Sequence, residues 1–288
     1  MTIQTESHTN EDIEYLRHGA RTMTMRLSRP TGMGPFPVVL DLHGGAWTKG
    51  DPSDCHPCDD VLAAAGIAAA ALDFRHAGDR YPSSLIDINY AVRWLKAHAE
   101  DLRIDPERIG VVGQSSGGHL AMLSAMRPHE PRYTSIALDV DDPTIDASVR
   151  CVGMLWPVIN PLSRYRHALR MRNSDSPSDW VRDLPERHDI YWRTEEAMAE
   201  GNPMLALENG ETVETPPALW IQGQPDIVHD YRDPDSPLDL KEPERFASNY
   251  RKAGGEIEVL YIDNATRSTN KSFDPLAEFL QRQLLSEN

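Results

Sequence analysis

Ile109-Gly110-Val111-Val112-Gly113-Gln114-Ser115-Ser116-Gly117-Gly118-His119-Leu120 decides how the rest of this chain is read. A short β-branched run ends in Gly-Gln-Ser-Ser-Gly, and helix-forming residues follow from Gly118 to Met126. A G-x-S-x-G pattern between strand and helix has a mechanical purpose. The sharp turn holds the serine in a strained backbone conformation, and glycines on both sides let strand and helix approach closely. The hydroxyl of Ser115 then projects above the sheet at a helix N-terminus, where developing negative charge is favoured.

Upstream, Val38 to Leu42 forms another apolar run that stops at His43-Gly44-Gly45-Ala46-Trp47. Paired glycines after a strand let backbone N–H groups face a carbonyl oxygen without a side chain in the way. With the N–H of Ser116, Gly44 and Gly45 form the expected oxyanion hole. His43 reads as a residue that holds this loop by hydrogen bonds. Trp47 is expected at the rim of a substrate pocket, with Trp156 as a second pocket residue.

Working outward, residues 21–27, 67–74, 151–156, 218–222 and 256–261 read as further strands. Amphipathic helices are expected over 85–98, 244–253 and 274–285, and a helix-like stretch over 59–65. Strands that alternate with helices predict an α/β class: a mostly parallel central sheet flanked by helices. Between Asn160 and Leu207 the alternation breaks into a polar stretch rich in Arg, Pro and aromatic residues, which predicts a helical cap insertion at about 160–207. Residues 1–12 are polar and read as a flexible N-terminal segment, leaving 13–288 as one domain.

The chain of 288 residues carries 29 Lys and Arg against 45 Asp and Glu, a net charge of −16. That balance argues against nucleic-acid or anionic-membrane partners, which need clustered basic residues. Three cysteines are too few for a disulfide scaffold. No apolar run approaches the roughly 18 residues of a spanning helix, and a cytoplasmic protein is expected. Oligomeric state is not legible here.

Together these motifs resemble the α/β-hydrolase esterases of the hormone-sensitive-lipase-like, or HGGG, type. The resemblance rests on His43-Gly-Gly-Ala-Trp, Gly113-Gln-Ser-Ser-Gly-Gly-His-Leu and Gly223-Gln-Pro-Asp226, and runs over residues 12 to 285. Ala46 stands where the third glycine of the family motif falls. The resemblance implies the α/β-hydrolase fold, a Ser115 nucleophile, hydrolysis of carboxylic esters or close acyl chemistry on a small-molecule ester or acyl substrate, and no cofactor.

In that fold the acid follows a late strand and the histidine base follows the next. Asp226 is the expected acid, with Asp230, Asp233 and Asp235 as alternatives nearby. Where the histidine is expected, the chain reads Asp263-Asn-Ala-Thr-Arg267-Ser-Thr, and His229 is its last histidine. Arginine stays protonated and cannot take the serine proton. Three readings stay open: a substitute base, Arg267 as a charge-recognising group, or a disabled esterase. Among substitutes His229 stands first, although three residues from Asp226 on one loop argues against both roles; His167 and His188 in the cap come next. The rival class is a non-hydrolytic protein of the same fold, a ligand-binding protein, cyclase or lyase. Cys55-His-Pro-Cys58 lacks a second ligand pair, so a surface loop and no metal site are expected. His119 reads as a packed helix residue, and Arg164, Arg166, Arg170 and Arg172 as a solvated face or an entrance for acidic substrates.

Overall fold

The computed structural model describes residues 8–140 and 142–286. It opens with a hairpin, β1 (His8–His18) and β2 (Arg21–Pro30), followed by β3 (Phe36–Leu42), α1 (His56–Ala64) and β4 (Ala68–Leu72). Next come α2 (Ser83–Ala97), α3 (Ala99–Leu102), β5 (Ile104–Gln114), α4 (Ser116–Met126) and β6 (Val152–Leu155). Between β6 and β7 (Ala218–Gln224) stand α5 (Pro161–Arg172), α6 (Leu184–Trp192), α7 (Glu195–Glu200) and α8 (Pro203–Glu208). The chain ends with α9 (Glu242–Lys252), β8 (Ile257–Asp263) and α10 (Asn270–Leu284).

The strands form one eight-stranded sheet in the order β1-β2-β4-β3-β5-β6-β7-β8. Pairing is antiparallel at β1–β2 and β2–β4, and parallel from β4 onward. Strand β4 is Ala68-Ala-Ala-Ala-Leu72, and alanine is a poor strand former. Ladders on both sides, to residues 25–28 and 38–41, override that preference.

Alternate residues of each strand feed two cores, as the period of two requires. Val38, Leu40, Val111, Met154 and Trp220 pack with Leu85 and Ile88 of α2, Leu120 and Leu123 of α4, and Phe246 of α9. Val39, Ala69, Val112, Leu155 and Ile221 face the other way, against Leu62 of α1 and Leu276, Phe279 and Leu280 of α10. Each such buried Leu, Ile or Phe contributes roughly 1.5–3 kcal/mol. Parallel strands covered on both faces explain why these runs are continuously apolar.

Of the polar leader expected over 1–12, residues 1–7 lie outside the described residues, and 8–12 belong to β1 rather than to a free segment. The strand is at the sheet edge, and its exposed positions are polar. What matters for the site is the common direction of the parallel strands. The loops after β3, β5, β7 and β8 all leave from the carboxyl edge of the sheet, where open α/β sheets hold their ligands.

Candidate active site

Ser115 sits between β5 and α4 with φ 52 and ψ −117, a conformation that costs about 1–3 kcal/mol for a residue with a side chain. Its backbone is pinned to the neighbouring strand and loop: Ser115 N–H donates to Leu155 O at 2.9 Å, and Val158 N–H donates to Ser115 O at 3.0 Å. The flanking glycines are sterically required. A Cβ on Gly113 would come within 2.5 Å of the Gly117 carbonyl, and a Cβ on Gly117 would overlap Leu42 O.

The loop over residues 43–47 lies against this turn. A Cβ built on Gly44 would be 3.4 Å from Ser115 Cβ, so no side chain separates that backbone from the turn at Ser115. Ala46 and Trp47 both take the left-handed conformation, with φ 51 and φ 59. Trp47 N–H donates to Ser116 Oγ at 3.2 Å, which ties the loop to the first residue of α4. His43 is buried, stacks on Phe74 with ring centroids 4.4 Å apart, and bonds through Nδ1 to Gly44 O at 2.9 Å. Burial lowers its pKa, which suits a neutral, loop-holding imidazole.

After β7 the chain makes one tight turn from Asp226 to Asp230. Asp226 Oδ1 accepts from Val228 N–H at 2.9 Å and His229 N–H at 3.2 Å, and Asp230 N–H donates to Asp226 O at 2.8 Å. Residues three apart on such a turn share a face. His229 Nδ1 therefore lies 2.8 Å from Asp226 Oδ2, and His229 Nε2 lies 3.1 Å from Ser115 Oγ. With Asp226 ionised, Nδ1 carries the proton and Nε2 is left to accept from the serine hydroxyl.

This corrects the expectation that three residues on one loop are too close for both side chains to join a chain of hydrogen bonds to Ser115. The three-residue spacing does not prevent Asp226 and His229 from serving one chain of hydrogen bonds; the turn creates it. The two histidines on α5 and α6, His167 and His188, are engaged elsewhere. His188 is fully buried with Nδ1 2.9 Å from Leu184 O, and His167 stacks on Tyr231 at 4.1 Å. Arg267 follows β8 as expected, but it is 41% exposed, with Nη1 3.7 Å from Asp226 Oδ2 and its guanidinium 5.8 Å from the Trp156 ring. It flanks Asp226, and a guanidinium offers hydrogen-bond donors but no acceptor for a hydroxyl proton.

Burial drives the electrostatics. It lowers the pKa of His229 to about 4; Asp226 opposes that shift, while Arg164 and Arg267 add to it. Burial alone would raise Asp226, but the hydrogen bonds from His229 and from the Val228 and His229 amides hold it down at about 2. At neutral pH the imidazole is thus uncharged beside an ionised carboxylate.

Several other expectations change. Trp47 is 2% exposed and packs among His119, His188, Tyr191 and Trp192, so it belongs to the core rather than to a pocket rim. Trp156 is also buried, in the second core beneath Arg267. His119 is a packed helix residue: it accepts from Trp47 Nε1 at 3.2 Å and lies 2.8 Å from Gly201 O through Nε2. Cys55 and Cys58 are not on a surface loop. They are buried at the start of α1 with Asp41 and Asp59, whose carboxyls are both pushed up by burial. Among the described residues no group of three or more His, Cys, Asp or Glu is arranged to hold a metal ion. A cavity of about 680 Å³ lined by Leu207, Glu208, Arg245 and Asn249 contains none of the residues of this site.

The BD-FAE family model matches residues 27–183, more than half of the chain. The chain belongs to the BD-FAE family. The match takes in the loop over residues 43–47 and Ser115, whereas Asp226 and His229 lie beyond it. This BD-FAE chain is 35% identical over 42% of its length to the Mycobacterium tuberculosis protein named "Probable carboxylic ester hydrolase LipM", of which 28% is covered. It is 31% identical over 67% of its length to Esterase LipC of the same organism, of which 45% is covered. The matched region thus spans less than half of either relative. Among solved structures, the carboxylesterase EstE1 from a metagenomic library superposes with a TM-score of 0.72 at 20% identity, covering 96% of this chain and 89% of the other. The α/β-hydrolase fold expected from the three motifs is therefore present.

Proposed function

We propose that this BD-FAE family member is a serine-dependent hydrolase of small carboxylic esters, with Ser115 as nucleophile, His229 as general base and Asp226 as the group that orients it. The observation that carries this is the continuous chain Ser115 Oγ–His229 Nε2–His229 Nδ1–Asp226 Oδ2, at 3.1 and 2.8 Å. In this reading Ser115 Oγ attacks the ester carbonyl carbon while its proton passes to His229 Nε2. Backbone N–H groups of Gly44, Gly45 and Ser116 bind the resulting oxyanion. The imidazolium then protonates the leaving alkoxide, an acyl-serine remains, and water attacks it by the same route in reverse. Asp226 stabilises the imidazolium without itself becoming protonated.

A disabled base has no support in this geometry, and neither does the non-hydrolytic rival, because an ordered base faces the serine. The pairing of β1 with β2 supports one domain that begins at His8 rather than at residue 13, with a helical cap at about 160–207. A cytoplasmic setting is supported by three free cysteines, all buried. Among the described residues no helix is long and apolar enough to cross a membrane.

The test is turnover of p-nitrophenyl acetate across pH. A base must be neutral to accept a proton, so kcat/KM follows the deprotonated fraction of His229. With a pKa of about 4 for His229, kcat/KM stays nearly flat from pH 8 to 5 and falls tenfold per unit below about 4. A histidine at its ordinary pKa of about 6.5 would lose about 30-fold by pH 5. Half-activity near 6.5 contradicts the assigned environment, and no turnover at any pH contradicts the hydrolase reading.

A further inference from the structure

The cap arginines divide into two kinds. Arg166 pairs with Glu195, Arg170 with Asp235, Arg172 with Glu186 and Arg187 with Asp183, all as partly exposed ion pairs. Arg164, on the same helix α5 as the first three, is 5% exposed, and its Nε and Nη1 make no hydrogen bond to any described residue. Its guanidinium rests 5.8 Å from the Trp180 ring. A buried guanidinium without an anion is costly, and its fork of donors matches a carboxylate.

Arg164 lines a small cavity of about 10 Å³ together with His229, Val158, Asn160, Tyr231 and Glu242. That is room for one water-sized oxygen. Asp226 favours its charge from a distance, but among the described residues no carboxylate makes a hydrogen bond or ion pair with Arg164. Asp226 is already engaged by His229 and two backbone amides. Glu242 leans on Arg245, and burial pushes its carboxyl up to about 8, so at pH 7 it is mostly protonated and offers a hydrogen rather than a charge. In the reading above, His229 delivers its proton to the leaving alkoxide, so groups beside His229 border the alcohol half of the ester.

We propose that Arg164 is a specificity-determining residue that receives a carboxylate carried by the alcohol portion of the ester. This rests on the serine-hydrolase reading, and it names the substrate class: acyl esters of hydroxy acids. One carboxylate oxygen fills the cavity beside His229, and the guanidinium supplies two N–H donors to the group.

The test compares 3-acetoxybenzoate with 3-acetoxybenzamide, which differ in charge and little in shape. The protein is expected to favour the anion in kcat/KM by about tenfold or more, the factor a charge-assisted hydrogen bond supplies. In Arg164→Gln the ratio of the two kcat/KM values falls to near one, and Arg164→Lys retains part of it. A second readout needs no turnover: calorimetric binding of 3-hydroxybenzoate and 3-hydroxybenzamide to Ser115→Ala protein, with and without Arg164→Gln. Tighter binding of the acid that depends on Arg164 supports a carboxylate site there even if neither ester is turned over, an outcome that counts against the hydrolase reading and not against the site. Equal kcat/KM for the two esters together with equal binding of the two products overturns the proposal, whether or not the variants fold.

Discussion

His229→Gln is expected to lower kcat/KM on short-chain p-nitrophenyl esters by about three orders of magnitude or more, while Arg267→His brings no comparable gain. Glutamine keeps a polar side chain on the turn over 226–230 but has no group that takes a proton from Ser115 and returns it to a leaving alkoxide. The residual rate is what binding and the oxyanion hole supply. Arg267→His introduces an imidazole at a half-exposed position flanking Asp226, while His229 already stands 3.1 Å from Ser115 Oγ. Competition for Asp226 makes a small loss the natural result. Steady-state kinetics of both variants against the parent decide the matter. A large gain in Arg267→His, with His229→Gln unchanged, would mean that His229 is not the base.

Asp226→Asn is expected to lower kcat/KM by about 10⁴, with the fold intact, because it reverses a tautomer. The asparagine oxygen can still accept from the Val228 and His229 amides, which preserves the turn. Its NH₂ group then faces His229 Nδ1 and donates where the carboxylate accepted. The imidazole proton is driven to Nε2, which faces Ser115, and the hydroxyl loses its acceptor. Circular dichroism and a melting curve close to the parent's would separate this effect from unfolding. A loss smaller than about tenfold would show that Asp226 does not set the orientation of His229.

Much of the fold is legible in the sequence because its signals are local. The strand runs at 38–42 and 109–113 and the glycines at 113 and 117 report close strand–helix packing, and the structure needs them for that reason. Strand β1 is not legible: it is an edge strand whose exposed positions carry polar residues, so it lacks the apolar pattern of the central strands. At the site, Ser115 and Asp226 follow from motif and order. His229 is a candidate from the sequence, but chain order points to a base after β8 instead. The signal that motif order passes over is Asp226-Ile-Val-His229 itself, a spacing that a single capped turn brings onto one face. Trp47 and the cysteines 55 and 58 escape correct placement for a different reason. Burial of a loop or helix start depends on what packs over it, here α6 over Trp47 and Asp41 of β3 beside the cysteines, and no local pattern reports that.

The most direct test of the central claim is mass-spectrometric mapping of the adduct formed with diisopropyl fluorophosphate, which labels a serine only when a neighbouring base activates it. The expected result is one phosphoryl adduct on the peptide carrying Ser115, no adduct in Ser115→Ala, and labelling slowed by orders of magnitude in His229→Gln. An unlabelled Ser115 in the parent protein, or labelling of His229→Gln at the parent rate, would contradict a Ser115–His229–Asp226 relay.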